Sequence, residues 1–267
     1  MERDEDAGRV REFWQSRAGR EDIAEREVTH RDVWQRWLEI ELISRFLSRT
    51  DRLLDVGCGN GYTTWQVASL VEEVVGIDYS DDMIRRARDW KADGSTTPDA
   101  RITFAAGDVR ALTPSAFGLF DTVLSERCLI NLANWDEQRA AIASIATVLE
   151  PGGRFILVEG SRDGRDRLNA LRASAGLEKM PPVWHNVDFD KPALLEFVRP
   201  MFDVESDLHF GVYDFLSRVV HPLVVAPAEP EYDSRINEVA ARLALERQDL
   251  ADLSRVVFLV LRKKAER

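Results

Sequence analysis

Leu53-Leu54-Asp55-Val56-Gly57-Cys58-Gly59-Asn60-Gly61 decides the fold of this chain. An apolar run that ends in an acid and three alternating glycines reads as a strand breaking into a tight loop. The segment from Tyr62 to Leu70 reads as the helix that follows. Glycine suits the loop because the backbone turns sharply there and approaches a ligand with no Cβ in the way. The helix N-terminus behind it offers unpaired N–H groups to a polar ligand. Spacing narrows the choice of ligand. A dinucleotide fingerprint, G-x-G-x-x-G counted from Gly57, needs glycine at position 62, where this chain has Tyr62.

Three further segments extend the pattern. Glu73-Val74-Val75-Gly76-Ile77-Asp78 reads as a second strand ending in an acid. Asp78 follows Gly57 by about 20 positions, the separation at which an acid binds a ribose diol. Ser80 is the expected cap of a helix from Asp81 to Lys91, with acids in its first turn. Ile102-Thr103-Phe104-Ala105-Ala106-Gly107-Asp108-Val109 reads as a third strand with an acid at its end. Phe120-Asp121-Thr122-Val123-Leu124-Ser125 reads as a fourth, followed by an amphipathic helix over 135–149. Glu150-Pro151-Gly152-Gly153-Arg154-Phe155-Ile156-Leu157-Val158 then turns into a fifth strand.

The D-x-G-x-G-x-G loop and the acids at Asp78 and Asp108, in this order over residues 51–160, resemble the motifs of class I S-adenosylmethionine (SAM) methyltransferases. The resemblance implies an α/β fold: a Rossmann-like, seven-stranded, mostly parallel sheet with helices on both faces. It implies SAM as cofactor and S-adenosylhomocysteine as product. It places Asp55, Gly57, Cys58 and Gly59 at the cofactor, with Asp78, Tyr79 and Met83 near its ribose. It gives Asp108 the adenine amino group and the Val109 N–H a ring nitrogen, with Gly107 and Ser125 beside them. Cys58 is then a small residue tolerated beside the cofactor.

Residues 1–50 are expected to form an N-terminal helical segment over the cofactor, with 1–8 disordered and a short helix from Val10 to Arg17. Thr29 looks like an N-cap for a helix from His30 to Leu47, with apolar spacing at Val33, Trp34, Trp37, Leu38 and Ile40. Trp14, Arg17 and Arg31 are candidates to cap the cofactor or meet its methionine carboxylate. The alternative, packing of Trp14 and Trp34 on the sheet, stays open. Residues 51–160 read as the cofactor-binding core, with a surface loop from Gly94 to Asp99. Residues 161–267 read as the remaining strands plus two insertions, 160–190 and 211–254, expected to cap the substrate mouth.

Ligands of open α/β sheets sit beyond the carboxyl ends of the strands. Glu126 and Arg127, just after the fourth strand, therefore fall beside the reacting methyl: Glu126 as base or acceptor-orienting group, Arg127 as partner of an acidic acceptor group. A structural Glu–Arg bridge is the competing reading. Of four histidines, His185 and His221 lie in the two insertions and are the candidates for proton transfer. No cluster has metal-ligand spacing, so no metal site is expected.

The formal net charge of −11 argues against a nucleic-acid or anionic-membrane partner. No apolar run approaches the ~18 residues of a membrane span, and Met1-Glu2-Arg3-Asp4-Glu5-Asp6 does not read as a signal peptide. The two cysteines sit in contexts that suggest no disulfide, consistent with a reducing cytoplasm. Ser125-Glu126-Arg127-Cys128 lacks the Pro-Pro motif of the nucleic-acid N6-methylating family. The favoured reading is a methyltransferase acting on O or N of a small molecule, of sugar or natural-product type, and able to homo-oligomerise. A macromolecular methyltransferase acting on protein or tRNA, and a non-catalytic SAM-binding regulator, stay open; a nicotinamide enzyme is remote.

Overall fold

The computed structural model describes residues 2–90 and 101–265. The expected surface loop at 94–99, and the expected helix end at Lys91, lie outside the described residues.

Seven strands form one sheet: β1 (Arg52–Val56), β2 (Glu73–Asp78), β3 (Arg101–Ala106), β4 (Phe120–Glu126), β5 (Leu149–Gly160), β6 (Phe202–Leu208) and β7 (Val256–Lys263). The order is β3-β2-β1-β4-β5-β7-β6. The first five run parallel, and β7 is antiparallel to both β5 and β6. The central strands are apolar at nearly every position because helices cover both faces. Neighbouring residues therefore serve different cores. Phe155 and Leu157 join the core under one helical layer, while Ile156 and Val158 join the other.

Eleven α-helices occur among the described residues. The N-terminal pair is α1 (Glu2–Ala18) and α2 (Val33–Ser44). Within the core lie α3 (Tyr62–Val67), α4 (Asp81–Asp89), α5 (Pro114–Phe117) and α6 (Trp135–Val148). Then come α7 (Arg162–Ser174), α8 (Lys191–Val198), α9 (Gly211–Phe215), α10 (His221–Val225) and α11 (Arg235–Glu246). A π-helical stretch, Leu216–Val220, joins α9 to α10. Ile142 and Ile145 of α6 and Leu194 of α8 fill one core with Val123 and Phe155. Leu38 and Leu42 of α2, Tyr213 of α9 and three alanines of α11 fill the other with Leu124 and Phe258. Each fully buried large apolar side chain contributes about 1.5–3 kcal/mol.

The structure corrects several expectations. Helix α1 starts at Glu2, so residues 2–8 are helical; its opening turns lack the apolar periodicity on which the expectation rested. Helix α2 is capped by Asp32, whose side chain accepts from Gln35 N at 3.1 Å, and not by Thr29. Its buried side includes Gln35, Arg36 and Glu39, whereas Trp34 and Trp37 are only half-buried. The 211–254 insertion packs with α2 on a sheet face as a structural layer. Its helices have enough small and apolar residues to bury one side against that face, which explains why they do not stand over the site as a lid.

The first insertion is pinned at its start. Ser161 caps α7 by accepting from Gly164 N at 3.2 Å. A Cβ at Gly164 would collide with the backbone carbonyl of Ser254, at the entry to β7. Gly164→Ala should therefore destabilise the fold by at least about 1–3 kcal/mol, the usual cost of overpacking, because the obstacle is backbone. Denaturant unfolding measures this; a variant as stable as the wild type contradicts the close docking of α7.

Candidate functional site

The loop after β1 carries Gly57 at φ 70° and Gly59 at φ 55°. Both values lie where a Cβ is strained. Space forbids one as well. A Cβ at Gly57 would overlap Cys128 Sγ, and one at Gly59 would lie 2.8 Å from Thr29 Cγ2. The loop is thus sandwiched between the segment after β4 and the segment before α2. Asp78, at the end of β2, accepts from Gly59 N at 3.0 Å and Ser80 N at 2.8 Å. Burial pushes its carboxyl up to about 6 against those two donors. Asp55 accepts from Thr64 Oγ1 at 2.5 Å, and burial pushes it up to about 7.

These groups open onto a cleft of about 880 Å³, counted to its mouth. Asp55, Gly57, Cys58, Gly59, Asp78, Tyr79 and Met83 form its floor and one side. Glu126, Arg127 and Cys128 come from the segment after β4, and Trp14, His185 and Asn186 form the cover. The cover is an aromatic cluster. The His185 ring centroid is 4.7 Å from Phe13, 5.5 Å from Trp14 and 5.0 Å from Trp184. Trp14 Nε1 donates to Asn131 Oδ1 at 3.0 Å, which ties α1 to the segment after β4. Burial lowers the His185 imidazolium, so the ring is neutral near pH 7.

A residue absent from the sequence reading dominates the inner wall. Arg36 is buried, stacks its guanidinium 4.4 Å from the Tyr62 ring centre and donates Nη1 to Arg26 O at 3.1 Å. Its Nε has no partner, nor do His30 Nδ1, His185 Nδ1 and Asn186 Oδ1, all in residues that line the cleft. An unsatisfied buried polar atom costs about 1–3 kcal/mol. Four around one cleft, beside a glycine loop and two buried carboxyls, fit a ligand that is polar along its length, as SAM is.

Glu126 lies deep in this wall. Burial first, then the neighbouring Glu39 carboxylate, push its carboxyl well above the usual range, opposed by Arg36. Glu39 is fully buried and accepts from Arg127 Nη2 and Gln35 Nε2, each at 3.0 Å. The expected partner of Arg127 was Glu126 or an acceptor; the structure gives it Glu39.

Other expectations are corrected here. His221 lies away from the cleft, 3% exposed, with Nδ1 3.0 Å from Asn237 Oδ1 of α11. Burial in the second helical layer explains its position. Arg17 does not reach the cleft because it donates to the carbonyls of Glu27 and Val28. Arg31 lines a separate surface cleft. Ser125 faces inward, donating to Glu159 Oε1 at 2.6 Å. For Gly107, Asp108 and Val109 the adenine contact stays a proposal: they stand beyond the residues that line the cleft, and Arg110 engages the Asp108 carboxylate at 2.6 Å and holds it below its usual range. Thr29, His30, Arg36 and Asn186 line the cleft although the sequence reading assigned them no place there. The available signal was a loop next to His185 for Asn186; Arg36 reads as a solvent-facing helix position. No described group of His, Cys, Asp and Glu could hold a metal ion, and no described helix is long and apolar enough to cross a membrane.

The segment after β4 owes its shape to Glu159 at the end of β5. This buried carboxyl accepts from Ser125 Oγ and from the N–H groups of Cys128, Leu129 and Ile130 at 3.0–3.2 Å. Burial still pushes it up to about 7. A carboxyl raised in the folded state stabilises most below its ordinary value and loses that contribution as pH rises through about 7. Glu159→Gln places an amide against converging donors and should cost about 1–3 kcal/mol. The stability of the wild type relative to E159Q should be greater at pH 5 than at pH 8. Unfolding at both pH values checks this; a constant gap contradicts the assigned role.

Residues 53–153 match the family described as Methyltransferase domain. A ubiquinone biosynthesis O-methyltransferase from Xanthomonas euvesicatoria pv. vesicatoria (strain 85-10) is 31% identical over 146 residues. That match covers 54% of this chain and 58% of the relative, so this chain spans little more than half of the curated relative's length. A Haloferax volcanii methyltransferase solved with the Trm112 methyltransferase activator superposes with a TM-score of 0.62 at 15% identity, covering 94% of this chain and 98% of that one. The N-methyltransferase NodS from Bradyrhizobium japonicum WM9, solved with S-adenosylhomocysteine, superposes with a TM-score of 0.52 at 16% identity, covering 96% and 99%. At these identities the two structures speak for the fold alone. Residues 53–153 thus carry a methyltransferase domain, and the glycine loop, the sheet order and the two superpositions agree with the fold of class I SAM-dependent methyltransferases.

Proposed function

We propose that the chain transfers a methyl group from SAM to an oxygen or nitrogen of a small molecule. The observation that carries this reading is the covered cleft: α1 and the 184–186 loop close over it, and Glu126 lies at its inner end. The curated relative's name, an O-methyltransferase of ubiquinone biosynthesis, supports a small acceptor and oxygen as the receiving atom. A macromolecular acceptor is the second reading; the Haloferax protein of like fold was solved with a protein activator, so a protein partner belongs to that reading. The cover of Trp14 and His185 weighs against a bulky folded substrate.

When bound, SAM supplies a sulfonium methyl that is already electrophilic, so the protein's work is alignment, exclusion of water and proton handling. Asp78 would hold the ribose hydroxyls, and Arg36 with His30 the amino-acid end. The aromatic cover keeps water from the reaction zone. Glu126 is the group suited to take a proton from an acceptor hydroxyl, because its raised carboxyl makes it a stronger base than an exposed glutamate. Neutral His185 offers an unpaired ring nitrogen from the opposite wall and would orient the acceptor.

Incubating the protein with methyl-labelled SAM and an extract of its source cells, then separating by ultrafiltration, tests the proposal. Label should appear in the small-molecule fraction and depend on the protein. Label confined to protein or tRNA would overturn the small-acceptor reading. Glu126→Gln should lower the labelling rate by ~10²–10⁴, the range of general-base help, while S-adenosylhomocysteine affinity stays within a few-fold. Wild-type rate should rise with pH as the elevated Glu126 carboxyl ionises. A pH-independent rate, with E126Q unimpaired, leaves alignment alone to explain turnover.

A further inference from the structure

A second cavity of about 520 Å³ adjoins the first and shares Arg127, Ile130 and Asn186 with it. Its wall is unlike the rest of this acidic chain. Three arginines line it, Arg127, Arg165 and Arg255, against one acidic residue, Asp188. The carboxylates that pair with Arg127 and Arg255 are Glu39 and Asp214, both fully buried and neither part of the wall. Only Arg165 meets its partner, Asp188, within the cavity. Arg127 and Arg255 therefore line the cavity while the carboxylates that pair with them do not.

Nearby groups register the resulting field. Burial lowers the His30 imidazolium most, followed by the charges of Arg127, Arg36, Arg218 and Arg255. Arg172 is lowered by burial and then by Arg218 and Arg255. Donors are also in surplus. A guanidinium has five N–H donors. Arg127 spends Nε and Nη2 on Glu39, and Arg255 spends Nε and Nη2 on Asp214 and Gln35. Finally, Arg127 has φ 56°, in the left-handed region that is strained for a non-glycine residue. Held this way, its side chain lines both cavities at their junction. Met180, Pro181 and Val183 add apolar surface to the wall, beside the polar Gln35, Ser161 and Asn186.

We propose that this second cavity receives a carboxylate of the acceptor, so that the substrate is a small organic acid whose methylated atom lies in the first cavity and whose acidic group lies among Arg127, Arg165 and Arg255. The inference rests on the methyl-transfer reading for the position of the reacting atom. Guanidinium forks match a planar carboxylate through paired N–H donors, and low local dielectric strengthens the match. An amide of equal shape satisfies neither the charge nor the donor geometry.

The test is calorimetry on the whole chain, with and without S-adenosylhomocysteine, using benzoate and hexanoate against benzamide and hexanamide. The carboxylates should bind about tenfold or more tightly than their amides. Arg165→Gln, which leaves Asp188 uncompensated in the wall, should remove the preference. So should Val183→Asp, at a half-exposed position of the lining, with thermal unfolding checking that the variant folds. Both variants should keep wild-type affinity for S-adenosylhomocysteine. Equal binding of acids and amides, or a preference that survives in both variants, overturns the inference and leaves methyl transfer standing if S-adenosylhomocysteine binds. A carboxylate preference without S-adenosylhomocysteine binding supports the acid-binding cavity and removes the methyl-transfer reading instead.

Discussion

The Asp78 carboxylate ties the ends of β1 and β2 together through Gly59 N–H and Ser80 N–H. The rest of the site depends on that tie. It holds the glycine loop in left-handed geometry, and the loop in turn leaves room for Cys128 on one side and Thr29 on the other. Parallel strands β1, β2 and β4 deliver these segments to one edge of the sheet. The same carboxyl, raised by burial, is also the group we propose as the ribose partner. Structural and binding demands thus meet on one side chain.

A second constraint is the charge buried between α2 and the sheet. Glu39 pairs with Arg127, and Asp32 with Arg218 while also accepting from Tyr213 Oη at 2.5 Å. Asp214 pairs with Arg255. Burying ions is costly, and apolar residues of similar volume often serve stability as well or better. Breaking one partner, however, leaves an uncompensated charge worth about 3–5 kcal/mol. Such a network is a poor way to gain stability and a good way to fix geometry. Here it fixes α2, the segment after β4 and the entry to β7 around two connected cavities. It also raises the Glu126 carboxyl by placing Glu39 beside it.

The sheet was largely legible in the sequence. Strands β1 to β5 are largely apolar runs that end in, or run directly into, an acid or a glycine, and their order followed from motif order. Helix α1 was read too short because its early turns carry no apolar stripe. The floor of the cleft was legible because glycines and acids sit at strand ends, where backbone geometry demands them. The wall was not. Arg36 and Glu39 look like solvent-facing positions of an amphipathic helix, and only a partner 88 positions away, Arg127, reveals that Glu39 is inside. His185 and His221 had equal claims from sequence, since both lie in insertions. Tertiary packing separated them: one loop folds over the cleft, and the other becomes part of a helical layer whose Asn237 engages the ring.

The central claim is that SAM occupies the first cleft with Asp78 as its ribose partner. Titrating S-adenosylhomocysteine into the protein from pH 8 to pH 5, alongside Asp78→Asn, tests it most directly. Only the ionised carboxylate can accept from both hydroxyls, and Asp78 is pushed up to about 6. Affinity should therefore be highest near pH 8 and fall as pH drops through about 6, approaching tenfold per pH unit at the limit. D78N should bind weakly, with a shallower pH dependence. Wild-type affinity that is flat across this range, or D78N binding as tightly as the wild type at pH 8, would contradict the account.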